Sequence, residues 1–134
     1  MIGIWSANAR IFLLILAVTT TATFALPILL VPLRWARLVQ WRIPEHTDLA
    51  VYFGRCLGAF ILVIEFLMFQ AALSHQSLVV TYRCLLLLWC LMIVIHAVGA
   101  LQRTQPMTET LEIGFWVALT VLTLLFWPVA TSAV

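Results

Sequence analysis

Apolar residues in this sequence come in four long runs separated by short polar stretches. The first goes from Ile11 to about Leu33 and is opened by Arg10. The second goes from Leu49 to Leu73, the third from Leu78 to Leu101, and the fourth from Leu111 towards Val134, with no charge after Glu112. About 20 mostly apolar residues let a helix cross the hydrocarbon of a bilayer, and each run reaches that length. Strands that span lipid read as short alternating segments closed into barrels, and these runs do not alternate. The pattern predicts an all-α polytopic membrane protein. Its four antiparallel transmembrane helices, at about 11–33, 49–73, 78–101 and 110–132, form one bundle domain over residues 1–134.

Composition points the same way. Of the 134 residues, 65% are hydrophobic and 9% charged, whereas a soluble domain carries about 25% charged residues. So few charges cannot cover a water-facing surface. A soluble globular domain, a disordered chain and a collagen-like chain are all excluded.

The net charge is +2, and all seven cations are arginines. They form no dense basic stripe, so nucleic acid is not an expected partner. Arg34, Arg37 and Arg42 follow the first run, Arg55 opens the second and Arg103 follows the third. Arg10 and Arg83 lie at the opposite ends. Positive residues favour the cytoplasmic side. Loops 34–48 and 102–109 are therefore expected in the cytoplasm, with both termini outside a cell membrane. Trp35, Trp41 and Trp127 fall where interfacial anchors belong. Cys56, Cys84 and Cys90 are odd in number and lack a CxxC spacing; they are expected as small buried hydrophobes without a disulfide.

Within the first run, Arg10 and the small residues of Ala22-Thr23-Phe24-Ala25 resemble a signal peptide with a cleavage site. The apolar run continues through Leu26 to Val31, so a retained span is expected instead. Pro27 removes one backbone hydrogen bond and is expected to kink this helix near Thr23.

Ionisable groups inside spans are costly and mark candidate sites. Counting from the short turn near Ser74–Ser77 sets Gly58 level with Ile95 and Gly54 level with Gly99. Counting from the next turn sets His96 near the depth of Glu112. Arg55, His96 and Glu112 are thus expected as one cluster, serving either as a structural tie or in handling a ligand or proton. Glu65 lies about ten residues, roughly 15 Å, from Arg55, too deep to reach water. Its expected neighbours are Leu87, Leu88 and Trp89, Thr19 to Thr23, and Thr120 or Thr123. With no cation in reach, a neutral carboxyl that donates a hydrogen bond is one expectation. Interhelical glue, contact with a partner protein, and substrate or proton handling remain open for it.

Ala50, Gly54 and Gly58 put a stripe of small residues on one face of the second span, which lets helix backbones approach closely. The depth count aims this stripe at Ile95, His96 and Gly99. It predicts contact, either within the chain or between chains.

Catalytic signatures are missing. Bis-histidine haem ligation needs two facing histidines, and only His96 lies within a span; His46 and His75 fall in loops on opposite sides. A zinc or copper site needs three or four converging donors, and His96 with Glu112 supplies two. No metal site or cofactor is predicted. No P-loop, GxGxxG or nucleophile elbow occurs. Thr108 is expected to cap the fourth helix, with Glu112 near its first turn.

Leu26-Pro27, the long arginine-containing first loop, Gly54-Arg55-Cys56-Leu57-Gly58 and His96 near the end of the third span form a layout over most of the chain. It resembles the small four-helix membrane proteins grouped as DoxX-like or DUF4345. The resemblance implies a four-helix membrane bundle, with some relatives attached to quinone-linked or thiol-linked redox complexes. This chain lacks paired cysteines for a thiol role.

Two functions compete at this stage. One is an accessory subunit packed on a larger membrane complex. The other is a membrane protein or enzyme that binds a hydrophobic ligand, quinone or lipid, near Glu65, His96 and Arg55. Proton or ion conduction through Glu65 ranks behind both, since a relay needs a chain of groups.

Overall fold

The computed structural model describes residues 2–74 and 77–129. Among these no strand occurs, and four helices are long and apolar enough to cross a membrane. They are α1 (Ser6–Leu30), α3 (Asp48–Ser74), α4 (Leu78–Gln102) and α5 (Met107–Leu125). A short helix, α2 (Pro32–Leu38), sits between the first two.

Proline chemistry shapes α1. Pro27 has no N–H to offer the carbonyl of Thr23, four residues earlier. Around that deletion, Thr21–Ala25 widens into a π-helical turn. The freed Thr23 carbonyl accepts instead from Trp35 Nε1 at 3.0 Å. Trp35 is therefore a structural donor and more than an interfacial anchor. Residues before proline avoid the helical region; Val31, preceding Pro32, stands at φ −136°, ψ 54°, and α1 stops there. Pro32 then occupies the first turn of α2, where a missing N–H costs nothing. The first helix thus ends at Leu30 rather than 33, and part of the expected first loop is helical.

The far end of α5 follows the same rule. The fourth apolar run suggests a helix to about 132, but it ends at Leu125 because Pro128 cannot continue it; positions 130–132 lie outside the described residues. Pro128 leaves the Leu124 carbonyl short of its usual donor. Gly3 N–H supplies one at 2.9 Å, and Trp5 N–H bonds the Leu125 carbonyl at 2.9 Å. Gly3 adopts φ 75° to make this approach.

Side chains close the other ends. Arg10 Nε donates to the Ala72 carbonyl at 2.6 Å and Arg10 Nη2 to Leu73 at 3.3 Å, capping the C-terminus of α3. Tyr82 of α4, fully buried, donates to the Ala9 carbonyl at 2.7 Å. Left-handed Arg103 turns the chain after α4, and the N–H groups of Arg103 and Thr104 bond the carbonyls of Ala100 and Gly99. The core lies mainly where α1, α3, α4 and α5 meet, around Leu13, Ala17, Met68, Tyr82 and Leu85. Among the cysteines, which are all free, Cys84 and Cys90 are exposed and Cys56 is half-buried, so burial is not their role. They stand on helix faces turned away from that core.

The long helices pair as α1 with α3 and α4 with α5, while α3 and α4 touch only slightly despite their short connection. The small-residue stripe explains why, and corrects its expected partner. A Cβ on Gly58 would sit 2.5 Å from Leu29 N and 2.7 Å from Leu29 Cα; one on Gly54 would sit 2.7 Å from Pro32 Cβ. The stripe therefore seats α3 on the end of α1, within the chain, and does not face Ile95, His96 or Gly99. Gly99 has a separate reason to be glycine. Its missing side chain leaves room for Gln105, whose amide folds back to donate to the His96 carbonyl at 3.0 Å and Thr110 Oγ1 at 3.1 Å.

Because a rigid backbone faces Gly58, Gly58→Ala is expected to lower stability by about 1–3 kcal/mol. Gly114→Ala, where an added Cβ meets nothing within 4 Å, should leave it unchanged or slightly raised. Thermal unfolding of the two variants in detergent provides the comparison.

Candidate functional site

Glu65 is buried on α3, 4% exposed, and faces α1. Thr20 Oγ1 lies 2.6 Å from Glu65 Oε1 and 2.7 Å from the carbonyl oxygen of Leu16. The hydroxyl has one proton and a carbonyl only accepts. Both bonds are made together when a neutral carboxyl donates to Thr20 and Thr20 donates to Leu16. Of the surroundings expected for Glu65, the threonine segment of α1 is the one that bonds it. Trp89 turns instead to α5, donating to Thr123 Oγ1 at 3.0 Å. Glu65 Oε2 and the Thr21 hydroxyl remain buried without a partner among the described residues. This arrangement ties two helices.

A second polar cluster stands at the end of the molecule where the loops after α1 and α4 meet. His96 comes from α4. Glu109 and Glu112 come from α5, three residues apart and so on one face of the helix. His96 Nε2 is 3.1 Å from Glu109 Oε2 and 3.6 Å from Glu112 Oε2. His96 Nδ1 is 2.7 Å from the carbonyl oxygen of Met92. A carbonyl cannot donate, so Nδ1 carries a proton and Nε2 is the atom presented to the two acids. Trp41 Nε1 donates to Glu109 Oε1 at 2.7 Å, fixing that carboxylate from the loop. Thr108 does not cap α5 as its position suggests. Its hydroxyl donates to the Val39 carbonyl at 2.5 Å and docks the same loop, while Pro106 takes the cap position. Beneath the imidazole, Trp116 lies at 5.8 Å and stacks in turn on Trp89 at 5.4 Å. Trp41 is thus, like Trp35, a built-in donor.

The expected cluster of Arg55, His96 and Glu112 is half right in its membership. His96 and Glu112 come together, but Arg55 does not join them. Seating Gly54 and Gly58 against α1 turns the neighbouring Arg55 towards the α1–α2 corner. There it lines a hollow of about 290 Å³ with Arg34 and Arg37, over Val31, Pro32, Leu33 and Val51. Glu109 joins them instead, so among the described residues three donor side chains converge here, His96 included, rather than two. The signal for Glu109 was its i, i+3 spacing to Glu112, hidden by reading the segment as a helix start.

Glu112 also borders an open hollow of about 530 Å³, within the range of small-molecule pockets. Its walls are Phe24, Leu38, Val39, Leu111 and Phe115, with Thr23 and Thr108 as further polar groups. Phe24 and Phe115 face each other at 6.2 Å, nearly parallel. Glu65 lines neither hollow. The chemistry available is therefore an acid–base cluster at the edge of an apolar recess, with Glu65 standing apart from it.

If Glu65 is a tie between helices, Thr20→Val strands a buried carboxyl and lowers stability by about 1–3 kcal/mol. Adding Glu65→Leu to Thr20→Val removes both polar partners and is expected to recover most of the loss. A double mutant no more stable than Thr20→Val alone, by thermal unfolding, would contradict the tie.

No family model, curated protein or solved structure matches the chain, so the functional reading rests on its residues and their geometry.

Proposed function

We propose that this chain is a multi-pass protein of the cell membrane, a bundle of four antiparallel helices that binds a hydrophobic small molecule with a polar head. The observation that carries the reading is the hollow beside Glu112. An aromatic and aliphatic wall from Phe24, Leu38, Leu111 and Phe115 suits a ring or acyl chain, and Glu112 with Thr108 suits a head that forms hydrogen bonds. Quinones and lipids have that division of character. The resemblance to DoxX-like proteins, some of them linked to quinone chemistry, is part of this proposal. So is the orientation: Arg34, Arg37, Arg42, Arg55 and Arg103 outnumber Arg10 and Arg83, which puts the Glu112 end on the cytoplasmic side.

A photoreactive quinone and a photoreactive phospholipid, each added to the purified protein in detergent, test the reading. Labelling is expected on segments holding Phe24 or Phe115. Leu111→Trp, which fills the hollow, should cut it at least about ten-fold, the loss of roughly 1.4 kcal/mol of binding. Labelling by both probes that is indifferent to Leu111→Trp would dispose of the proposal.

A second reading, an accessory subunit of a membrane complex, is favoured by the outer face of α4. Val80, Cys84, Leu87, Leu91, Val94, Val98 and Leu101 are all exposed and recur at alternating steps of four and three. That is the spacing of a helix that packs against another along its length. On this reading a defined protein co-purifies in mild detergent and is lost when Leu87 and Leu91 are both changed to tryptophan. A chain that migrates alone at the mass of one copy would count against it.

A further inference from the structure

We propose that His96, Glu109 and Glu112 form a binding site for one divalent transition-metal ion of the zinc class. The site shares Glu112 with the larger hollow but needs no occupant there, so the two readings can fail independently. One oxygen from each acid and Nε2 of the imidazole lie within 4.8 Å of one another. A tetrahedral zinc with nitrogen and oxygen ligands at its usual bond lengths separates neighbouring donors by about 3.3 Å. The two distances from Nε2, 3.1 and 3.6 Å, bracket that edge.

The supporting contacts are those a metal centre needs. With Nδ1 bonded to the Met92 carbonyl, a neutral imidazole holds its lone pair on Nε2, the tautomer that ligates. Such a carbonyl behind a ligating histidine fixes ring orientation and raises ligand basicity. Trp41 orients Glu109 by bonding the oxygen that faces away from His96. Electrostatics argues in the same direction. Two carboxylates and a neutral imidazole balance a divalent cation, and among the described residues no arginine pairs with either acid. Two of the three donors are also removed from water, His96 at 4% and Glu109 at 9% exposed, while Glu112 is half-buried at the hollow's edge. Uncompensated charge is expensive there, and a bound cation compensates it. Imidazole with carboxylates favours zinc-like ions over magnesium or calcium, which take oxygen donors alone. Three protein donors leave a coordination position for water or a ligand, and Glu112 stands on the wall of the larger hollow.

Full-length protein in detergent, stripped with a chelator and titrated with Co²⁺, tests the site. The expected result is one Co²⁺ per chain with the strong visible absorption of tetrahedral coordination, displaced by Zn²⁺. His96→Gln is expected to abolish the spectrum, and Trp41→Phe, which leaves every donor in place, to weaken binding about ten-fold. Gly114→Ala, where an added Cβ meets nothing within 4 Å, should bind Co²⁺ as the unmodified chain does. Absence of the spectrum in the unmodified protein overturns the proposal whatever the variants do. So does a spectrum of equal strength in His96→Gln and Glu109→Gln, which would place the ion on other side chains.

Discussion

Pro27 removes an amide hydrogen from within α1 and Pro128 removes one just past the end of α5, and donors from elsewhere in the chain stand in for both. A carbonyl without a donor is costly wherever water is excluded, so the replacement has to come from elsewhere in the chain. For Thr23 it is the indole of Trp35, which requires α2 to turn back beside α1. For Leu124 it is the backbone of Gly3 beside a longer bond from Trp127, and the Gly3 bond requires the N-terminal segment to cross to the end of α5. Arg10 on the carbonyls of Ala72 and Leu73 extends the same practice to a helix end with no proline. Donors supplied to carbonyls thus fix the ends of the helices, while the glycine stripe and the apolar core set how the long helices pair.

The folded-back α2 has a consequence for the polar cluster. Once Trp35 anchors α2 to α1, the chain that follows it is directed towards α5. Trp41 then reaches Glu109 and Val39 meets Thr108. The same folding gives the larger hollow one wall from Leu38 and Val39 and another from Phe24. A backbone defect in the first helix therefore sets the geometry of acids borne by the last one.

Much of this was legible from the residues, and the misses have physical causes. Four apolar runs of sufficient length announce four helices, and Pro27 announces a disturbance near Thr23. Gly54 and Gly58 announce a close helix contact, but a periodic stripe carries no label for its partner. The partner was assigned from the short connection between the second and third runs. Sequence proximity misled here because Leu29 and Pro32 fit the stripe more closely. That error carried Arg55 with it. Matching depths correctly joined His96 to Glu112, since rise per residue is fixed by helix geometry. Glu109 was missed because the segment Thr104–Glu109 already reads as a helix start, with Thr108 as its cap. Trp35 and Trp41 sit where interfacial tryptophans belong, and nothing local reveals that their N–H groups are committed to specific acceptors.

The tie between the two ends of the described chain bears on the order of biosynthesis. Gly3 and Trp5 are made well before Leu124 and Leu125, whose carbonyls they serve. The segment before α1 can therefore make these bonds only once α1 to α5 have all been made. No nascent chain that stops short of Leu124 can make this tie.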